Sequence, residues 1–214
     1  MRVGKQNIHN KNIPQLITSI REDQMPDKYE NFAKLAEYEC EGVDFRIRFM
    51  QKNSTVAIIA PHGGTIEPGT SEITEEIARA SYSSYFLEGL IDQPHCHFHI
   101  TSTNFDEPKC LNLIRHCEIV IAVHGLGGQH KAVKVGGLDE KLRNTICENL
   151  KTAGFVTKVV TTGNHAAISQ KNICNKGRRG VGVQLEITRG LRDALLDGTE
   201  DLSAFAKAVQ QAIP

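Results

Sequence analysis

Neither sign of charge is in excess in this chain. Across 214 residues, 25 Lys and Arg stand against 25 Asp and Glu, for a formal net charge of zero. Binding to nucleic acid or a membrane through an overall field needs a basic surplus, so neither partner is expected. Long apolar runs are also missing. Nothing approaches the roughly 18 consecutive apolar residues of a membrane span, and no apolar core of signal-peptide length follows Arg2 and Lys5. The expectation is a protein that is cytoplasmic when synthesised, with lysis as one route out of the cell. Paired cysteines are absent: positions 40, 96, 110, 117, 147 and 174 form no C-x-x-C. That removes the usual cysteine zinc site and the thioredoxin-like motif. Free, structural thiols are expected, with Cys110 and Cys117 on one buried helical face. Repeats and low-complexity linkers are absent too.

What is present fits one globular unit. Hydrophobic residues make up 40% and charged residues 23%, enough for a sizeable core in a single monomeric domain. Residues 1–27 are polar and broken by Pro14 and Pro26, so 1–40 reads as an N-terminal extension and 41–214 as the domain. Asp27 is placed to cap a helix over about 28–37. Residues 43–49 alternate apolar and polar, as a half-exposed strand near a sheet edge does. Then the pattern changes. Residues 56–60, 119–123 and 181–187 are continuous β-branched runs, the last interrupted by Gln184 and Glu186, and 155–160 is a weaker fourth. Such runs fit strands buried on both faces of a mostly parallel sheet. Helical patterns near 71–80, 107–117, 138–153 and 201–212 alternate with them, and shorter strands are expected near 83–88 and 97–101. The fold class is α/β: three layers, with a mixed, mostly parallel sheet between helices.

In open α/β sheets, ligands sit beyond the carboxyl ends of the strands. Three segments fall there. Pro61-His62-Gly63-Gly64-Thr65-Ile66-Glu67 leaves a buried strand with a histidine and a carboxylate, and its glycines allow a tight turn. Thr70 or Ser71 could cap the helix that follows. Val123-His124-Gly125-Leu126-Gly127-Gly128 delivers a second histidine into a glycine-rich loop, without the Lys and Ser/Thr of a P-loop. Two imidazoles and one carboxylate make a ligand set that leaves a fourth zinc position open, the pattern of catalytic zinc. In the third segment, Gln184 and Glu186 share a face of an apolar strand. A carboxylate there is costly unless it pairs, binds metal or serves a site. Glu186 is therefore a candidate general base. Structural roles for each of these residues remain the alternative.

At this point the chain resembles the phage and bacillar poly-γ-glutamate hydrolases, whose fold is similar to that of zinc carboxypeptidases. The resemblance rests on PHGGTIEPGTSEI (61–73), HITSTNFDEP (99–108), VHG (123–125) with VGGLDEKLRN (135–144), and GVQLEITRGLR (182–192), in that order. It implies that His62, Glu67 and His124 bind Zn2+ and that Glu186 is the catalytic carboxylate. Asp106 and Glu107 are candidates to orient a ligand histidine, or else a helix cap.

Six basic residues (Lys171, Lys176, Arg178, Arg179, Arg189 and Arg192) and one acidic residue lie between 171 and 192. Lys131, Lys134, Lys141 and Arg143 follow the second histidine. Basic groups flanking the site suit a polyanionic γ-glutamyl polymer, and Arg189, Arg179, Lys134 and Arg143 are the substrate-binding candidates. The expected activity is cleavage of γ-glutamyl amide bonds within the polymer. The alternatives are a zinc amidohydrolase of other specificity, either carboxypeptidase-like or like the archaeal D-aminoacyl-tRNA deacylases, and a phage-derived binding protein without activity.

Overall fold

A computed structural model of the chain describes residues 26–94 and 97–214. Its centre is one seven-stranded sheet of order β1-β3-β2-β4-β7-β5-β6. The strands are β1 (Phe45–Met50), β2 (Val56–Gly64), β3 (Ser83–Gly89), β4 (Ile119–Leu126), β5 (Val133–Gly136), β6 (Thr157–Val159) and β7 (Val183–Thr188). The helices are α1 (Phe32–Tyr38), α2 (Thr70–Ala78), α3 (Pro108–Ile114), α4 (Glu140–Thr152), α5 (Arg189–Leu196) and α6 (Leu202–Gln210). β2 with β3, β2 with β4, β4 with β7 and β5 with β6 pair in parallel. Only β1 with β3 and β5 with β7 pair antiparallel. The sheet is therefore mixed and mostly parallel, as the sequence pattern predicts.

The continuous apolar runs are explained by burial on both faces. Val56, Ile58, Ile121, Val123, Val183 and Leu185 pack against Ile73 and Ile77 of α2, Ile146 and Leu150 of α4, Leu191 and Leu195 of α5, and Phe205 and Val209 of α6. Their neighbours Ala57, Ile59, Val120 and Ala122 face the other way. They meet Tyr29, Leu35 of α1, Phe98, Phe105, and Cys110, Leu113 and Ile114 of α3. A single run of residues thus feeds two cores, which is why no polar position survives in β2 before its end. Local chemistry fixes the helix starts: Asp139 caps α4 through Leu142 N, Asp201 caps α6 through Ala204 N, and Glu107 caps α3 ahead of Pro108.

Several local expectations change. The helix expected over about 28–37 runs from Phe32 to Tyr38 with Asn31 as its cap, because the Asp27 carboxylate is engaged by His99 and Thr101. Residues 97–101 are not a strand. Their backbone is bonded to side chains instead of a ladder: the Ile100 carbonyl meets His62, and Thr101 N donates to Asp27. α2 starts at Thr70 after Gly69, with no side-chain cap, since the Thr70 hydroxyl donates to the carbonyls of His62 and Glu67 and the Ser71 hydroxyl accepts from Gly64 N. β5 and α5 have no counterpart in the sequence reading. Residues 1–25 of the expected extension lie outside the described residues. From Asp27 on the chain packs with the rest: Tyr29 and Leu35 are buried, so the packing does not break at residue 40. Among the described residues, Cys40, Cys110, Cys117, Cys147 and Cys174 are free thiols, and Cys110 and Cys117 are both buried.

Candidate active site

His62 reaches the site through a register shift. β2 runs in step with β3 as far as Ala60 opposite Phe86, then resumes at Gly63 opposite Glu88. One extra residue on β2 inverts its alternation. Without it, His62 would follow Ile58 and Ala60 into the core of α2 and α4. With it, His62 turns to the opposite face, beside Phe105 and His99. There its Nε2 meets the Ile100 carbonyl at 2.8 Å. A carbonyl only accepts, so Nε2 carries the proton and Nδ1 faces inward.

The loop after β2 brings Glu67 back to His62. The Thr70 hydroxyl clamps that loop by its two bonds to the His62 and Glu67 carbonyls. Glu67 Oε1 lies 3.3 Å from His62 Nδ1, and Glu67 Oε2 accepts from Gly125 N at 2.7 Å. Arg192, buried and on α5, ties the three loop ends together by donating to the carbonyls of Pro68, Leu126 and Ile187. Its guanidinium occupies the space that a side chain at Gly125 would need, which accounts for glycine after His124.

His124 and Glu186 arrive on neighbouring strands. They are directly opposite across β4 and β7, and Glu186 in turn stands opposite Lys134 across β7 and β5. Opposite residues share a face, so His124, Glu186 and Lys134 form a row. His124 Nδ1 is 3.1 Å from His62 Nδ1 and 3.9 Å from Glu67 Oε2. Burial, with His62 beside it, pushes His124 down to about 3, which leaves a neutral imidazole. Burial also acts to lower His62, but the Glu67 carboxylate outweighs it and the net shift is upward. Glu186 is raised by its own burial, with His165 opposing.

Glu186 is held by an amide relay. Asn172 Nδ2 donates to Gln184 Oε1 at 3.0 Å, and Gln184 Nε2 donates to Glu186 Oε1 at 2.6 Å. His165 Nδ1 lies 3.5 Å from the same oxygen. Both contacts fall on Oε1, and no other hydrogen bond or ion pair of a described residue engages Oε2.

Two further residues belong to this centre. The ring of His99 lies 4.0 Å from that of His62, and its Nε2 is 3.9 Å from Glu67 Oε1. Its Nδ1 meets Asp27 Oδ1 at 2.6 Å. Burial acts to raise the Asp27 carboxyl, but His99 and the two bonds from Thr101 together outweigh it and hold the group at about 2. The expected orienting carboxylates sit elsewhere: Asp106 accepts from Phe32 N, and Glu107 caps α3. His99 opens one of the motifs quoted above, and that was its one sequence signal. Asp27, 72 residues away, gave none.

The donors fit a zinc ion. Atoms bound at about 2.0–2.2 Å in a tetrahedron lie roughly 3.3 Å apart, and His62 Nδ1, Glu67 and His124 Nδ1 are 3.1 to 3.9 Å from one another. Three buried groups converge here with a neutral imidazole and a carboxylate among them, which suits a borderline-soft cation. A second trio, His62, Glu67 and His99, also offers donor atoms within 4.8 Å of one another. We favour His124, because β4 fixes it and its Nδ1 lies 3.1 Å from His62 Nδ1.

A profile of the family described as poly-gamma-glutamate hydrolase matches residues 29–210. The chain belongs to that family. It is 40% identical over 174 residues to the UPF0714 protein YmaC of Bacillus subtilis (strain 168), covering 80% of this chain and 73% of YmaC. It is 38% identical over 185 residues to the SPbeta prophage-derived UPF0714 protein YoqZ of the same strain, covering 83% of this chain and 67% of YoqZ. A bacteriophage poly-gamma-glutamate hydrolase superposes with a TM-score of 0.82 at 30% identity, over 87% of this chain and 96% of the other. YNDL in an apo, zinc-free form superposes with a TM-score of 0.79 at 32% identity, over 87% and 97%.

In this member of the poly-gamma-glutamate hydrolase family, most of the basic run beside the site is already engaged. Arg178 pairs with Glu118, Arg179 with Asp139 and Arg189 with Asp193. Lys176 donates to the Phe105 carbonyl. Arg143 is buried and donates to the Gly137 carbonyl. Of the four substrate-binding candidates, the structure sets Lys134 in the row with Glu186 and gives Arg179, Arg189 and Arg143 partners elsewhere.

Proposed function

We propose that the protein is a zinc-dependent hydrolase that cleaves γ-glutamyl amide bonds inside poly-γ-glutamate. The observation that carries this is the convergence of His62, Glu67 and His124 on one point, with Glu186 directly beside them. Support comes from the family and from a relative whose apo form is distinguished as zinc-free, which implies that YNDL takes zinc.

His62, Glu67 and His124 would hold the ion, which supplies Lewis acidity toward a carbonyl and toward water. The chain's own residues do the rest. Glu186 accepts the proton of the attacking water and returns it to the leaving nitrogen. Gln184, fixed by Asn172, holds Oε1 and so directs Oε2 to that proton. Burial keeps the Glu186 carboxyl above the ordinary range, which suits a group that must both take and give a proton near neutrality. The bond from His62 Nε2 to the Ile100 carbonyl fixes the tautomer that a ligand needs.

Incubation of the purified protein with poly-γ-glutamate, followed by size analysis with and without a chelator, tests the reading. Internal cleavage lowers mean chain length before much free glutamate appears, and the chelator stops it. Equal cleavage of an α-linked polyglutamate would contradict the linkage. Turnover of a D-aminoacyl-tRNA, with both polymers spared, would move the assignment to a deacylase. Inertness toward all three would favour a binding protein.

A further inference from the structure

The residues described so far account for the scissile bond but not for the free carboxylate that every γ-linked glutamyl residue carries beside it. Glu186 has two sides in the sheet. His124 and the His62–Glu67 cluster lie across β4, and Lys134 lies across β5. Adjacent strands are about 4.8 Å apart, so Lys134 is two strands, roughly 10 Å, from His124. Lys134 is half-buried, and its ammonium makes no hydrogen bond or ion pair with any described residue. A half-buried lysine that no described residue pairs, in a row with Glu186 and His124, is a place for an anion.

His165 completes this side. Gly136, two residues along β5 from Lys134 and on the same face, has no side chain. The backbone carbonyls of His165 and Ala166 pack over it, 2.7 Å from where a Cβ would stand. Gly137 N donates to the Ala166 carbonyl, and Asn175 Nδ2 donates to the carbonyls of Ala167 and Ser169. These bonds hold Ala167 at φ 51, a left-handed conformation unfavourable for a residue with a Cβ. A loop fixed in that way presents His165 Nδ1 to Glu186 Oε1 at 3.5 Å. The side chain is 38% exposed.

We propose that Lys134 forms a carboxylate subsite, which takes the free α-carboxylate of the glutamyl residue beside the scissile bond. It rests on the hydrolysis proposed above. It gives a reason for an acidic substrate, because a neutral group bound there would leave the ammonium uncompensated.

The test uses two γ-linked glutamyl oligomers of equal length, one with free α-carboxylates and one with them converted to carboxamides. Lys134→Gln should raise KM for the free acid about tenfold, as loss of one charge-assisted bond does, with kcat within about twofold. Lys134→Arg should restore most of the affinity. KM for the carboxamide should not move in any variant. Calorimetric binding of both oligomers to the Glu186→Gln protein, with and without Lys134→Gln, reads the subsite without turnover. A preference of Glu186→Gln protein for the free acid that Lys134→Gln abolishes supports it. Equal binding of the two oligomers, or a preference that survives Lys134→Gln, overturns it. Absence of cleavage by the wild type with that binding preference intact would sink the hydrolase reading and leave the subsite standing.

Discussion

Glu186 stands directly opposite His124 across the parallel pair β4–β7, and the two side chains share a face. One strand thus delivers a metal-type donor and its neighbour delivers a carboxylate, at a spacing set by the sheet itself. This division of labour predicts separable effects. Glu186→Gln should lower kcat by about 10²–10⁴ while the protein keeps its zinc, measured by elemental analysis. A mutant that loses the metal would make Glu186 a ligand. One that keeps its kcat would make the buried carboxylate structural.

The two possible donor trios give different zinc contents. His124→Ala should lose zinc, and His62→Ala should do the same. His99→Ala should keep one zinc per chain with weaker affinity, since it borders the cluster from a loop and not from a strand. Metal that binds only the folded state raises the melting temperature, so chelation should lower it in the wild type and hardly at all in His124→Ala. If His99→Ala loses the zinc and His124→Ala retains it, the ligand set is His62, Glu67 and His99.

How far these features show in the sequence depends on whether their cause is local. β2, β4 and β7 were legible because strands buried on both faces need unbroken apolar runs, and a histidine or glutamate in such a run stands out. His62, His124 and Glu186 are singled out in that way, and Glu67, in the loop after β2, by the glycines that let the chain turn back on His62. The register shift between Ala60 and Gly63, which turns His62 to the correct face, leaves no mark in a continuous apolar run because either parity looks the same. The 97–101 segment alternates like a strand, yet its backbone partners are side chains from distant parts of the chain. β5 is four residues long and too short for a period. The basic run at 171–192 was visible, but its partners Glu118, Asp139 and Asp193 come from other elements, so composition alone overstated the free charge.

A second ion cluster, around Glu88 on β3, sets a stability limit in acid. Glu88 is buried on β3 and accepts from Arg46 Nε at 2.6 Å and Arg48 Nε at 3.0 Å. Burial acts to raise its carboxyl, but Arg48, Arg46 and Ser71 outweigh that and hold it at about 2, against an ordinary 4.5. A carboxyl depressed in the folded state adds stability that is fully present above about 4.5 and is lost as pH falls through about 2. Arg46 is half exposed and screened, so the contribution is discounted to about 1–3 kcal/mol. Glu88→Gln should therefore lower the urea midpoint at pH 7, and the gap to wild type should narrow as the pH is lowered from 4.5 toward 2. A gap that is constant with pH would show that the loss comes from packing.

Asp27 provides the last prediction, because it links the N-terminal segment to the centre. Its carboxylate receives His99 Nδ1 at 2.6 Å and also Thr101 N and the Thr101 hydroxyl, both at 2.7 Å. These bonds do two things. They fix which nitrogen of His99 carries the proton, so that Nε2 turns toward Glu67. They also anchor the loop whose Ile100 carbonyl sets the tautomer of His62. Asp27→Asn keeps the volume and one acceptor but removes the charge, and Asp27→Ala removes both. Loss of a carboxylate that orients a histidine at a metal site typically costs about 10–100-fold in affinity or activity. Both mutants should bind zinc more weakly in competition with a chromogenic chelator, with Ala the worse, while their far-UV circular dichroism stays that of the wild type. Deletion of residues 1–27 should reproduce the Ala phenotype. Zinc affinity equal to wild type in Asp27→Ala would mean that the His99 loop is held by its own packing and that Asp27 serves the fold alone.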